Sequence, residues 1–271
     1  MTHRSLAART IGDGVTQARQ CAMKTAHGAG CVVGTFSSGF YVRAAGMLFA
    51  VGGPKIPAGP LHLVLRKQPP IPPEQSIVHF ALDRLWTKTC IIDLSGATRH
   101  RPSLPTPERL DTIVPTLAQL NSPDMVPRDV SHVWPEVDEA LKRSDLNAAR
   151  QLLEGLGGGL TPTGDDVLAG ILMLTHMSDP ASHVPGDMAS RAATTELSRC
   201  FLDWAAVGQS IQPIYDLLDA ACHMASTRKR ASARAARRRF DHAVDVVASI
   251  GRSSGKGLLA GLGLAADVRS G

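Results

Sequence analysis

The first hundred residues alternate between short runs of β-branched or aromatic residues and breaks rich in glycine and proline. Five runs predict strands, and they lie within residues 30–36, 39–46, 47–53, 61–66 and 89–96. The short turns at 37–39 and 45–46 favour antiparallel hairpins, and residues 11–25 are compatible with a helix. This part of the chain is therefore predicted to be β-rich.

Beyond about residue 108 the apolar positions recur with a helical period, as in Leu110, Ile113, Val114 and Leu117. Further helices are predicted at 167–177, 188–206, 211–225, 228–250 and 257–266. A proline-rich break at 102–107 marks the change of pattern. We therefore predict an α+β chain, with a β-rich domain of antiparallel, barrel-like hairpins at 1–107 and a mainly α-helical domain at 108–271.

Composition is that of a globular protein, because 44% of the 271 residues are hydrophobic. The N-terminal residues lack the apolar core of a secretory signal, and no apolar run is long enough to cross a membrane, so a cytoplasmic protein is expected. Five scattered cysteines without CxxC spacing predict buried free thiols, with neither a disulfide framework nor a zinc cluster. The ten dispersed histidines contain no metal-binding pair, and His27 is read as structural.

Basic residues are concentrated in one segment. The net charge is +5, but residues 228–239, RKRASARAARRR, hold seven basic residues and no acid, which leaves about −2 for the rest. The spacing favours a solvated face of an alanine-rich helix, or a contact with a small anion or a partner, over nucleic-acid binding. Aromatic residues for base stacking are also scarce, at 4%.

Two glycine-rich loops are each followed by a small-faced apolar helix. The first reads GLGGGLTPTGDDVLAG from Gly155 to Gly170, and the second reads GRSSGKGLLAG from Gly251 to Gly261. Thr163 to Ile171 and Ser254 to Leu262 share the pattern [ST]-G-x-x-x-L-A-G-[IL], 91 residues apart. We call this repeated pattern the echo, and we interpret it as two loop-to-helix elements that pack together through their Ala-Gly faces.

The first loop has the chemistry of an anion site. Glycine lets backbone amides approach a ligand, and the first turn of a helix presents N–H groups without internal partners. Thr161 and Thr163 add hydroxyl groups or cap the helix. Asp165 and Asp166 would repel a bare anion, so each either complements the helix N-terminus or holds a magnesium ion or a substrate N–H group. An anionic small molecule that also carries an amide would satisfy both halves of the loop.

Other loop motifs do not fit this stretch. It lacks the lysine of a P-loop, the third glycine and preceding strand of the Rossmann fingerprint, and the GxSxG of a serine-hydrolase elbow.

Both loops resemble the AllH-like family, whose named member is a subunit associated with oxamate carbamoyltransferase. The family signature is close to GLGPGLTPSGDDFLAG, and its second loop tends to read GHTSGxDxLAG. Three departures from the two patterns matter: Gly158, Arg252 and Gly257 replace a proline, a histidine and an aspartate. The resemblance implies a role in purine or allantoin nitrogen metabolism, with partner protein subunits. Its model reaction converts oxalurate and phosphate to oxamate and carbamoyl phosphate.

On this hypothesis Asp165 or Asp166 is catalytic and orients the carbamoyl nitrogen or a magnesium ion; no cofactor is otherwise indicated. The residues expected to hold the substrate and the phosphate are Gly157, Gly158, Gly159, Thr161, Thr163, Gly164, Arg252, Ser253, Ser254 and Gly255, with Lys256 as a further cation. Thr194, Thr195 and Ser198 are expected mainly to cap a helix. The alternative function is a noncatalytic module that binds or senses a ureide or a carboxylate, which the altered second loop favours.

Overall fold

The computed structural model describes residues 4–24, 28–227 and 230–270, without the side chains of residues 230 and 231. The chain separates into two compact units, Met1–Pro102 and Ser103–Gly271. The first is a β-barrel region and the second is helical, which confirms the predicted α+β class. The domain division at 107 and 108 stays a prediction. His27 and the basic residues 228 and 229 lie outside the described residues.

The described residues of the first unit form nine strands and one helix. These elements are β1 (Arg4–Ile11), α1 (Asp13–Met23), β2 (Ala29–Phe36), β3 (Gly39–Ala44), β4 (Met47–Gly52), β5 (His62–Leu65), β6 (Ile77–Phe80), β7 (Arg84–Trp86), β8 (Cys90–Asp93) and β9 (Thr98–Arg99). The sheet order is β5-β4-β3-β2-β6-β7-β8-β1-β9, and pairing of β1 with β5 closes the first eight strands. A closed sheet has no unpaired edge. Its strands pack their inward-facing side chains against one another inside the barrel, so no second sheet is needed to bury them.

Two predicted hairpins are present. β2 pairs antiparallel with β3, and β3 with β4. Ala45 and Gly46, at the turn between β3 and β4, both have positive φ, at 50° and 77°, as a two-residue type I′ turn requires. Phe40, Val42 and Phe49 of these strands are fully buried, so the alternation in the sequence reflects the barrel core.

The second unit is built from nine helices over the part of it that the structure describes. They are α2 (Pro107–Leu117), α3 (Trp134–Lys142), α4 (Leu146–Leu153), α5 (Thr163–Ser178), α6 (Val184–Arg191), α7 (Glu196–Ala205), α8 (Gln212–Ser226), α9 (Arg230–Ala248) and α10 (Ser254–Ser270). Helices α5 and α10 form its most extensive contact, and two apolar clusters flank them. No helix of the described chain has both the length and the apolar content that a membrane span needs.

Two expectations were wrong. The helix predicted at 188–206 is broken between α6 and α7, because Thr195 caps α7 by accepting a hydrogen bond from the Ser198 amide at 3.1 Å. All five cysteines are free, but only Cys90 is buried, and Cys21 is exposed.

Candidate functional site

The first loop connects α4 to α5 and requires glycine at three positions. Gly155, Gly157 and Gly159 have φ values of 68°, 109° and 95°, which side-chain-bearing residues rarely adopt. At Gly157 a Cβ atom would also lie 2.9 Å from the Thr163 nitrogen. Beside Gly158 and Gly159 there is open space, since a Cβ atom on either residue would have no described neighbour within 4 Å. The tip of the loop is therefore accessible.

Asp165 anchors the beginning of this loop. Its carboxylate is buried, at 2% exposure. One oxygen, Oδ1, accepts a hydrogen bond from the Gly155 amide at 2.8 Å, and the other accepts one from the Thr194 hydroxyl. With both oxygens bonded inside the protein, Asp165 holds the loop against the segment that precedes α7.

The same segment is fixed by a second set of contacts. Glu154 pairs with the buried Arg150 and accepts the Ala193 amide at 2.9 Å. The Thr195 hydroxyl donates to the Leu160 carbonyl at 2.7 Å. The loop is thus held at both ends, while Gly157, Gly158 and Gly159 between them remain exposed.

Hydroxyl groups join the two loops, although about 90 residues separate them in the chain. The Thr161 and Ser254 hydroxyls lie 3.2 Å apart, and those of Thr163 and Ser253 lie 2.9 Å apart. Both pairs are partly buried and stand where α5 and α10 begin. The structure therefore brings together four of the predicted binding residues.

Helices α5 and α10 cross through the repeated Ala-Gly pattern, which confirms our interpretation of the echo. A Cβ on Gly170 would lie 2.5 Å from the Leu258 carbonyl oxygen, and one on Gly261 would lie 2.0 Å from that of Val167. Val167 and Leu258 occupy equivalent places in the two copies of the pattern. Each helix thus contacts the other with the same part of its sequence, and the two N-termini lie together.

Gly164 and Gly255 also play equivalent parts, but their amides are already bonded. The Gly164 amide donates to Leu156 at 2.8 Å and the Gly255 amide donates to Ile250 at 3.0 Å. A Cβ at either position would clash with backbone that precedes the helix, at 2.0 Å and 1.8 Å. These two glycines therefore allow each loop to fold tightly onto its own helix.

Asp166 differs from its neighbour Asp165. Its Oδ2 atom is buried and has no hydrogen-bond partner among the described residues. Burial raises the pKa of Asp166 to about 8, the Ser254 hydroxyl opposes this rise through a hydrogen bond, and the charge of Asp165 adds to it. Asp166 therefore differs from Asp165 in having a buried carboxyl oxygen to which no described residue donates.

Asp129 is a further carboxylate of the site, and the sequence analysis missed it. It lies in a short 3-10 turn, Arg128–Val130, and accepts a hydrogen bond from the Thr163 hydroxyl at 3.0 Å. Asp129 is exposed. No motif surrounds it in the sequence, so only the fold reveals that it belongs beside the two loops.

The two predicted cations lie in the second loop, at Arg252, and in the first turn of α10, at Lys256. Arg252 and Lys256 are exposed, and Gly251 has a positive φ of 63°. Among the described residues no group of three or more His, Cys, Asp or Glu side chains is placed to hold a metal ion. The arrangement is a cluster of hydroxyls at two helix N-termini, with carboxyl groups at Asp129 and Asp166 and exposed cations at Arg252 and Lys256.

The described part of the basic segment lies on α9. Arg237 pairs with Asp241 on the same helix and with Gln119, and Arg239 pairs with Asp219. These arginines are exposed, as expected for the solvated face of a helix.

Comparison with known proteins places both loops in one family segment. Residues 153–266 match the family model described as oxamate carbamoyltransferase subunit AllH. Searches of curated proteins and of solved structures gave no match. The matched segment begins at the end of α4 and reaches into α10, so it includes every contact between the two loops. The resemblance to the AllH-like family is thereby confirmed over residues 153–266, which lie in the helical unit.

Proposed function

We propose that this protein is a subunit of a carbamoyltransferase of ureide nitrogen metabolism, and that the two joined loops form its substrate site. The model reaction is the conversion of oxalurate and phosphate to oxamate and carbamoyl phosphate. The observation that carries the proposal is the hydroxyl contact between Thr161 and Ser254 and between Thr163 and Ser253, at the N-termini of two packed helices.

An anionic ligand fits the electrostatics of these loops. Each helix N-terminus carries partial positive charge, which attracts an anion. The exposed glycine amides at 157–159 and the hydroxyls add donors, and Arg252 and Lys256 add positive charge. A phosphate or a substrate carboxylate would find donors on both sides of the contact between the loops.

An amide-bearing ligand fits the carboxyl groups. Asp129 is exposed and already accepts one hydroxyl, so it has further capacity to accept a substrate N–H group. Asp166 has an oxygen without a partner in the described chain. Because Asp165 has both oxygens bonded within the protein, we assign it a positioning role and assign the contact with substrate to Asp166.

Catalysis at such a site rests on positioning and electrostatics. The loops would hold phosphate next to the carbamoyl carbon, which saves the entropy of bringing the two reactants together. Donors fixed in place would stabilise the oxyanion that develops on the carbamoyl group.

The family description names a subunit, and we propose that activity requires partner proteins. The barrel unit lies outside the matched segment, so it is available for roles other than the loop chemistry. We retain the proposal that residues 1–107 and 108–271 are separate domains.

The experiment measures carbamoyl phosphate formed from oxalurate and phosphate, by the full chain alone and with candidate partner subunits. Replacement Ser254→Ala removes the hydroxyl that meets Thr161, and we expect a loss of about tenfold or more in kcat/KM. Ser270→Ala is the matched control, because it lies on the same helix about 24 Å away and its hydroxyl bonds only within α10. Equal activity of the two variants would contradict the proposal.

The alternative, a noncatalytic binding module, gives a different pattern. Oxalurate or phosphate would then raise the melting temperature of the wild-type chain, and no partner would produce carbamoyl phosphate.

A further inference from the structure

Asp166 lies against both helices of the site. It is in the first turn of α5, and the backbone of α10 passes directly beside it. A Cβ atom on Gly257 would lie 2.7 Å from the Asp166 Cβ and 3.1 Å from the Thr163 carbonyl oxygen. The absence of a side chain at Gly257 therefore makes room for Asp166 between the two helix starts.

One carboxyl oxygen of Asp166, Oδ2, has no hydrogen-bond partner in the described chain. The Ser254 hydroxyl interacts with the carboxyl group and lowers its pKa. The residue keeps part of its surface exposed, although Oδ2 itself is buried, and rotation about the Cβ–Cγ bond exchanges the two oxygens. A ligand atom at the contact between the loops can thus meet the carboxyl group.

From this geometry we propose that Asp166 is the general acid of the site, and that it gives its proton to the nitrogen that leaves the carbamoyl carbon. The proposal rests on the proposed function, because it assumes that a carbamoyl group is transferred here. An amide nitrogen is a poor leaving group as an anion, so cleavage of its C–N bond needs a proton at that nitrogen.

The protonation state of Asp166 suits this role. Burial is the main cause that raises its pKa to about 8, so the carboxyl is mostly neutral at pH 7 and carries the proton that an acid needs. One charged group near it has a fixed position: Asp165 on the same helix, which raises the pKa. The other ionisable groups on elements around the site are exposed: Asp129, Arg252 and Lys256.

The transfer step balances without a further reactant. An oxygen of hydrogen phosphate attacks the carbamoyl carbon and forms the C–O bond, and the electron pair of the breaking C–N bond stays on nitrogen. Asp166 supplies the proton that this nitrogen takes up. The ionised Asp166 then receives the proton that hydrogen phosphate loses, so the products are carbamoyl phosphate and a neutral amide, and the acid is restored.

Asp165 and Asp129 are less suited to donate this proton. Asp165 accepts hydrogen bonds at both oxygens, from an amide and from a hydroxyl. Asp129 accepts the Thr163 hydroxyl and is exposed to water. Both are therefore acceptors, whereas Asp166 combines burial with an oxygen that no described residue bonds.

The first experiment follows the carboxyl carbons of the full chain, labelled with 13C at aspartate, by NMR between pH 4 and pH 9. We expect one resonance to titrate near pH 8, to vanish in Asp166→Asn, and to persist in the control Asp245→Asn, an exposed residue of α9. Titration of Asp166 below pH 6 would overturn the proposal.

The second experiment measures turnover in the presence of the partner subunits. Asp166→Asn keeps the shape but cannot act as an acid, so kcat with oxalurate should fall by about 100-fold or more. With 4-nitrophenyl carbamate, whose leaving group needs no proton, the fall should be less than about tenfold. Equal losses with the two substrates would overturn the acid role and leave Asp166 as a structural residue.

The two proposals fail in different ways. If the wild-type chain with its partners neither binds inorganic phosphate nor turns over oxalurate, the proposed function is wrong, and the acid role of Asp166 is then wrong as well. If turnover is present and its rate shows no decline above pH 8 that Asp166→Asn removes, only the acid role is wrong.

Discussion

The crossing of α5 and α10 predicts that Gly261 cannot be replaced. A Cβ at this position would lie 2.0 Å from the Val167 carbonyl oxygen and 2.9 Å from its carbon. Both are backbone atoms within a buried helix, so no side-chain rotation relieves the clash. Restoring an ordinary contact of 3.4 Å requires the helices to separate by about 1.4 Å at this point. Overpacking of this kind costs about 3 kcal/mol, and separation would also part the two loops.

The assay is thermal unfolding of the full chain, followed by circular dichroism at 222 nm, where the helical unit dominates. A loss of about 3 kcal/mol in a unit of this size corresponds to a melting temperature lower by roughly 6–12 °C. Gly186→Ala is the matched control, because Gly186 lies in α6 and a Cβ atom there would have no described neighbour within 4 Å. There alanine should stabilise the helix by about 0.5–1 kcal/mol. Melting temperatures of the two variants within about 2 °C of each other, a range set by the scale above, would refute the packing argument.

Two further predictions concern the carboxyl groups. Thr194→Val removes the hydroxyl that bonds to buried Asp165 and should lower the free energy of unfolding, measured by urea titration, by about 1–3 kcal/mol. The control Thr175→Val, whose hydroxyl bonds only within α5, should lower it by less than about 1 kcal/mol. Similar losses for the two variants would argue against the anchoring role of Asp165. Because the pKa of Asp166 is raised from 3.8 to about 8 in the folded chain, the folded state binds more protons than the unfolded state between these pH values. The free energy of unfolding should therefore fall as pH rises through this window, by on the order of a few kcal/mol, and Asp166→Asn should show a smaller fall; parallel curves would contradict the raised pKa.

Local sequence patterns predicted much of the barrel, but not its closure. Strands β2, β3 and β4 are short runs rich in β-branched, aromatic or other apolar residues and are joined by short turns, so they could be predicted directly. Strand β1 has small or polar residues at most positions, as in RSLAARTI, and its place is set by distant partners, antiparallel to β5 and parallel to β8. Nothing within a short window of sequence encodes that pairing.

The two loops were predictable because clustered glycines and hydroxyl residues in front of an apolar run are typical of a loop that leads into a helix N-terminus. The echo between 163–171 and 254–262 even predicted which faces pack. The different hydrogen bonding of Asp165 and Asp166 was not predictable. Adjacent residues on a helix point about 100° apart, and only the fold decides which carboxylate has both oxygens hydrogen-bonded. Asp129 and the break at 192–195, which supplies Thr194, also depend on contacts that are distant in the chain.

The central claim is that the two loops form one anion site. Its most direct test is a crystal structure of the full chain soaked with phosphate and oxamate. The account predicts electron density for the anion bonded to the glycine amides at 157–159 and to Ser253 or Ser254, with Asp166 within hydrogen-bond distance of the ligand. Density confined to another surface, such as the cleft lined by Arg109 and Arg239, would contradict it.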